Sequence, residues 1–381
     1  MNLLKRKRAF AEWLWTFFLL FVAAGIFLRP HTAAAGAAAG LSICADTLIP
    51  ALFPFMILSS LLLESRFTDL LFFFDPYLKL LRIRSRKASA ALLCGILGGF
   101  APGAKAVDSL YRCGELSKKQ AELMLICTVG AGPGFVVNGI GAMMLKNAGA
   151  GWLLFLSQLC AQGVCGIAAS FLMRQKCPSV SFSAKAQCCA SFGTAPKSES
   201  ATAESTYHPK TSFTDVVRSS VQSVLMLCGT VTFFSFLTHL VTPSGANPRT
   251  RYFASVFLEL TSACSAACES ASPMRSVMCC AALSCMGACA FLQVRALVCP
   301  AVSLRPLILS RLFHLPCALL FFKIFSRCFP DALAAGADLC AKPLIAVRMP
   351  ADVMIFLFLL CTLVCGVFPA HSSLRKYRKD V

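Results

Sequence analysis

Charge is the first thing this sequence lacks. Charged residues fill 14% of its 381 positions, where a soluble domain carries roughly 25%. Acidic residues are the scarcer kind, 17 against 36 Lys and Arg. The motifs of common enzymes are missing as well. The chain has no Gly-x-Ser-x-Gly elbow, no phosphate loop ending Gly-Lys-Ser/Thr and no His-Glu-x-x-His pair. It therefore reads as a non-enzyme, and as no ATP-driven pump unless a separate subunit supplies the ATPase. Its 22 cysteines contain no Cys-x-x-Cys. Cys264 with Cys268, and Cys285 with Cys289, stand four apart with no histidine beside them, so a zinc site lacks its donors. These cysteines read as small apolar packing residues. No metal and no cofactor is expected.

Apolar length is what the chain has. Hydrophobic residues make up 57% of it, mean hydropathy is +0.71, and several runs reach the roughly 20 residues that span a bilayer core. This predicts an all-α polytopic membrane protein with the lipid bilayer as its surroundings. The net charge of +19 does not signal nucleic acid, because no aromatic-basic platform accompanies it. Its basic residues gather instead in short loops beside apolar runs, at Lys5-Arg6-Lys7-Arg8, at 82–87 and at 375–379. Cytoplasmic loops carry that pattern.

Along the chain, residues 1–32 read as an uncleaved N-terminal span. Their apolar run at 9–28 is longer than the 7–15 residues of a signal-peptide core. A run at 33–64, interrupted by Pro50 and Pro54, predicts a kinked or broken span. Runs follow at 88–110, 121–145 and 151–173, then a polar linker at 174–212, then runs at 213–241, 252–271, 277–298, 304–325 and 353–368. If 88–110 and 252–271 enter and leave on one side, every strongly basic segment falls inside, the linker with its five basic residues included, as the positive-inside rule asks. Two halves then emerge, 33–173 and 213–328, with opposite starting sides, followed by a C-terminal span and basic tail at 329–381. Matching interruptions in inverted halves point to an inverted-repeat transporter core with two re-entrant helical hairpins and interrupted helices.

The sharpest local signal is Gly98-Gly99-Phe100-Ala101-Pro102-Gly103-Ala104-Lys105. It puts helix-breakers and a lysine inside an apolar run. A lysine at mid-membrane costs roughly 2.5–3.5 kcal/mol on insertion scales and usually faces a partner or a wet cavity. Gly130 to Gly134 breaks the next run, and Glu259 interrupts 252–271.

Leu52-Phe53-Pro54-Phe55-Met56-Ile57-Leu58-Ser59, Gly99 to Lys105, Glu115-Leu116-Ser117 and Gly132-Pro133-Gly134-Phe135 together resemble the sporulation integral membrane protein family of the YlbJ type. That family carries the nucleoside-recognition, or Gate, domain. Leu258-Glu259-Leu260-Thr261 and Gly287 to Gln293 resemble its second-half motifs, so the resemblance runs over 40–325. Ala101 departs from an often aromatic position, and Ser262-Ala263-Cys264 from a glycine-rich turn. The resemblance implies a core similar to concentrative nucleoside transporters. It further implies a transporter or facilitated channel that carries a small anionic solute, dipicolinate, to the developing spore across the outer forespore membrane. A nucleoside-like solute, or a non-transporting assembly protein required for sporulation, are the alternatives. Other sporulation membrane proteins and an oligomer stand as candidate partners.

The candidate substrate-binding residues are Pro102, Gly103, Lys105, Gly132, Pro133, Gly134, Asn138, Glu259, Thr261 and Gln293. Lys105 supplies a fixed positive charge, reinforced by a helix N-terminus after Pro102-Gly103; its other reading is a side chain snorkelling to the interface. Asp108 is a site residue or an intrahelical partner of Lys105. The glycines at 132 and 134 open the backbone or simply kink the helix. Glu259 couples protons or sodium, or pairs with a cation such as Arg295. Gln293 bonds substrate or a neighbouring helix. Arg311 and His314 stand on a later span, with His314 read as structural.

Overall fold

Runs of 20 or more apolar residues fold as helices because a hydrocarbon layer offers no partner to an unpaired backbone group. The computed structural model describes residues 2–64, 71, 74–83, 85, 87–173, 213–242, 247–270 and 274–334. Among these there is no strand, and all belong to one packing unit, residues 1–336. The expected linker at 174–212 and span at 353–368 lie outside the described residues.

Among the described residues, five helical stretches are long and apolar enough to cross a bilayer: Pro30–Leu58, Ala148–Leu172, Phe213–Val241, Arg275–Leu297 and Arg305–Cys328. The chain enters through α1 (Asn2–Leu28), whose apolar part, Glu12–Leu28, is shorter than these. Its Trp13 and Phe27 are 75% and 83% exposed, so the fold does not bury them. Then α2 (Pro30–Ile43), a π-helical turn (Cys44–Leu48) and α3 (Ile49–Glu64) form one continuous helix. Of the kink or break expected at Pro50 and Pro54, the break is absent. Within the π turn the Ile49 N–H reaches back five residues to the Cys44 carbonyl, and this wider turn relieves the proline ring of its clash with the preceding one.

In two helix pairs each arm is shorter than a bilayer core. Helices α5 (Lys87–Gly98) and α6 (Phe100–Arg112) lie side by side about one residue, Gly99, after the short α4 (Asp75–Leu80). Further on, α10 (Pro248–Leu258) and α11 (Leu260–Glu269) do the same about Glu259. At about 1.5 Å per residue each arm is under about 20 Å long, against a bilayer core of about 30 Å.

Two further helices are interrupted. The first runs from α7 (Lys118–Thr128) through 129–133 into a π-helical stretch, Gly134–Met144. The second is α12 (Arg275–Cys285), Met286, then α13 (Gly287–Leu297). Sequence predicts one unbroken span at 277–298. The structure breaks it at Met286, where a left-handed residue (φ 65°) meets Gly287 (φ 70°).

Long helices from the two halves pack in pairs. Helix α2 lies along α9 (Phe213–Val241), and α8 (Ala148–Leu172) along α14 (Arg305–Cys328), which leads into the short α15 (Pro330–Ala334). The first contact needs small residues: a methyl on Gly40 would stand 2.7 Å from the Thr232 Cα. Across the halves, α6 touches α13 and α11 touches the Gly134–Met144 stretch.

Polar contacts collect at two ends. At one, Lys87 pairs with Glu115 at 2.9 Å and Asp108 with Arg112 at 2.6 Å, while the Cys299 and Ser303 amides donate to Asp108 and Glu122. At the other, Arg251 pairs with Glu269, and Asn147 donates to the Leu333 carbonyl.

Candidate functional site

Four interruptions meet in the interior, and glycine decides how closely. Gly99 has φ 82° and ψ −153°, a region only glycine occupies without strain. Added as a methyl, its Cβ would stand 3.0 Å from the Gly132 amide nitrogen, and one on Gly132 would stand 2.9 Å from the Leu97 carbonyl. The first hairpin tip therefore rests backbone-to-backbone on the first helix break. In the second half, a methyl on Gly287 would stand 3.1 Å from the Leu258 carbonyl and 3.2 Å from the Glu259 nitrogen. There too the hairpin tip rests on the break.

Between these two junctions lies a cavity of 220 Å³. It is smaller than the roughly 300–1,000 Å³ of drug-sized ligand sites, so it suits a small solute. Its walls are mostly apolar, with Leu48, Leu52 and Met56 of the first long helix, Phe100, Phe135 and Met286 prominent. The polar groups are few: Lys105, Gln222, Ser223, Glu259, Thr261 and Gln293.

Lys105 stands one turn into α6, whose first turn, from Phe100 to Pro102, lines the same space. Proline is at home there, since the first-turn N–H groups have no intrahelical acceptor. The Lys105 ammonium donates to Ser223 Oγ at 2.9 Å, and Ser223 in turn donates to the Ser219 carbonyl at 2.9 Å. Among the described residues no carboxylate lies within ion-pair distance of Lys105. Asp108, read as a site residue or as the intrahelical partner of Lys105, instead pairs with Arg112 and accepts from the Cys299 amide at 2.7 Å.

Glu259 is 2% exposed and caps α11, its carboxylate accepting from the amides of Thr261 at 2.7 Å and of Ser262. Its alternative reading, a pairing with Arg295, does not occur. Arg295 donates to the Val302 carbonyl at 2.8 Å and to the Val298 carbonyl. Gln293 donates to Thr230 Oγ1 at 2.6 Å, bridging α13 to α9.

Of the ten candidate residues, Pro102, Lys105, Gly132, Glu259, Thr261 and Gln293 line the cavity. The other four do not. Gly103 packs on the Thr128 carbonyl, 2.5 Å from where its methyl would be, and Gly134 on the Ala51 carbonyl at the same distance. Pro133 is buried beside them, and Asn138, expected on the wall, is exposed on the outer face of its helix. A methylene-sized gap decides such placements, and a repeating pattern in the sequence does not register it.

Ser223, Gln222 and Met286 were not foreseen. Ser223 and Gln222 sit in a long apolar helix with no local signal, while Met286 had only Gly287 after it as a hint. Arg311 is buried behind the first break, donating to the Val129 carbonyl at 2.7 Å. Both ring nitrogens of His314 are closed off from solvent.

Comparison with known proteins gives one relationship to report. The sporulation integral membrane protein YlbJ of Bacillus subtilis (strain 168) is 28% identical over 140 residues, 36% of this chain and 34% of the relative. The match thus spans about a third of that protein's length. No family model matches the chain, and no solved structure matches it. With five membrane-length apolar helices among its described residues, the chain is an integral membrane protein related to a sporulation integral membrane protein.

Proposed function

We propose that this protein is a transporter or facilitated channel for a small anionic solute, with dipicolinate as the first candidate, working in the outer forespore membrane during sporulation. One observation carries the reading. Lys105 stands on the wall of an interior cavity with a serine hydroxyl as its hydrogen-bond partner and, among the described residues, no acid to neutralise it. An uncompensated cation at membrane depth is costly, and a bound anion removes that cost. The N-terminal turn of α6 adds its partial positive charge to the same wall. Phe100 and Phe135 give an aromatic solute a flat apolar contact.

The architecture supports a transport role. On this reading residues 33–173 and 213–328 are inverted Gate-like repeats, and α5–α6 and α10–α11 are re-entrant hairpins. Two features argue for it: each hairpin tip rests on the interrupted helix of its own half, and α6 and α11 reach across to the opposite half. Interrupted helices surrounding a midplane site are the hallmark of secondary transporters. Glu259 then serves first as the cap that shapes the second tip.

The deciding experiment is uptake of labelled dipicolinate into vesicles holding the purified protein, beside a labelled nucleoside and empty vesicles. Dipicolinate uptake that the nucleoside does not match is expected. Nucleoside uptake alone would transfer the site to a nucleoside-like solute. Uptake of neither would leave a non-transporting assembly protein as the better account.

A further inference from the structure

The two helix breaks are held from behind by the last long helix of each half, α8 and α14, each reaching into the other half. Gln158 of α8 donates to the Cys280 carbonyl and to Ser284 Oγ, both at 3.1 Å, in the turn before Met286. Arg311 of α14 donates to the Val129 carbonyl, where the first break begins. The two contacts are alike in place and differ in charge. A neutral amide suffices for the second break, whereas the first is held by a guanidinium that is 7% exposed and has no carboxylate within ion-pair distance among the described residues. The titratable side chains near it, Cys165, Cys285 and His314, include no carboxylate.

Ala131 and Gly132, two and three residues beyond the Val129 carbonyl, line the Lys105 cavity. Arg311 Nε is closed off from solvent, as are both His314 ring nitrogens, so a ligand has no space against them. A charge buried in a poorly polarisable interior is nonetheless felt farther than one in water. We infer that Arg311 is a specificity-determining residue that never touches the solute: it holds the first break in place and biases the cavity toward anions through its field. The inference rests on reading the Lys105 cavity as the solute site.

The test reads the cavity's potential without any solute. In the full-length protein, Gln222→Cys places a thiol on a wall residue that is also exposed. Its rate of reaction with an anionic methanethiosulfonate is divided by its rate with a cationic one, both followed by fragment-ion mass spectrometry that assigns the adduct to position 222 and separates it from native thiols such as Cys289 and Cys228, six residues on. Arg311→Gln keeps an amide donor for Val129 and loses the charge, and should lower this ratio at least about fivefold. Arg311→Lys should stay within about twofold of the parent. Cys165→Asp, which retains the guanidinium and sets a counter-charge where the Cys165 thiol lies 4.0 Å from the carbonyl of Ser310, the residue before Arg311, should lower the ratio as Arg311→Gln does, and it serves if Arg311→Gln does not fold. An unchanged ratio in folded Arg311→Gln, or in Cys165→Asp, overturns the inference. So does Arg311→Lys falling as far as Arg311→Gln, since geometry rather than charge would then be at work. Failure of dipicolinate uptake by the parent protein bears on the proposed function and leaves this ratio readable.

Discussion

At the scale of single residues, Lys105 separates a binding role from an anchoring one. Lys105→Ala should abolish anion uptake with insertion and size-exclusion behaviour unchanged, because among the described residues the ammonium's hydrogen bond goes to a serine hydroxyl and no ion pair is lost. Lys105→Arg should keep part of the activity, limited by the different hydration and geometry of a guanidinium. Full uptake by Lys105→Ala would return the lysine to a structural place. Glycines supply a second residue-scale comparison. Gly132→Ala forces a methyl to 2.9 Å from a backbone carbonyl, whereas Gly163→Ala meets nothing within 4 Å. The first should destabilise by about 1–3 kcal/mol. Gly163→Ala should be neutral or stabilising by up to about 1 kcal/mol, since alanine suits a helix interior better. Thermal unfolding in detergent compares the two, and equal melting points would mean the tip-to-break junction tolerates slack.

At the scale of elements, the hairpins are closed by specific groups at tip and base. Glu259 caps α11 at the second tip, so Glu259→Ala should cost about 0.5–2 kcal/mol, while Glu259→Asp keeps an oxygen acceptor and should recover part of it. Loss of transport in a Glu259→Asp protein of parental stability would show that the carboxylate does more than cap. At the base of the first hairpin, the Lys87 ammonium and the Ser85 hydroxyl hold the Glu115 carboxyl below its ordinary range. A depressed carboxyl pKa gives stability that is present above the unfolded value and lost as pH falls through the folded one. Glu115→Gln should therefore matter at neutral pH and cease to matter in acid. Both partners are well exposed, which keeps the effect under about 1 kcal/mol and makes it fade with added salt. A Glu115→Gln penalty that persists in acid would point away from the ion pair.

At the scale of the whole molecule, the two polar ends carry the topology. Lys118, at the end where Asp108, Arg112 and Glu115 gather, should face the cytoplasm, and Thr250, beside Arg251 at the other end, the opposite side. Cysteines introduced at these exposed positions should label from opposite faces of sealed vesicles; labelling from one face would remove the inverted arrangement. Composition and run length by themselves determined that the chain is helical and embedded in a membrane, because a bilayer tolerates only apolar segments with internally paired backbones. Gly99, Gly130 to Gly134 and Glu259 were legible as interruptions for the same reason: glycine, proline and charge are costly inside an apolar helix. Tertiary structure alone decided what those interruptions do. It set Glu259 on the α11 amides rather than on Arg295, gave Asp108 to Arg112, turned Asn138 outward, broke a helix at Met286 and brought Ser223 to Lys105 across 118 positions of sequence. Hydrogen bonds and close backbone contacts depend on separations of a few tenths of an ångström between distant segments. The order of residue types along a chain does not encode such distances until the segments have packed.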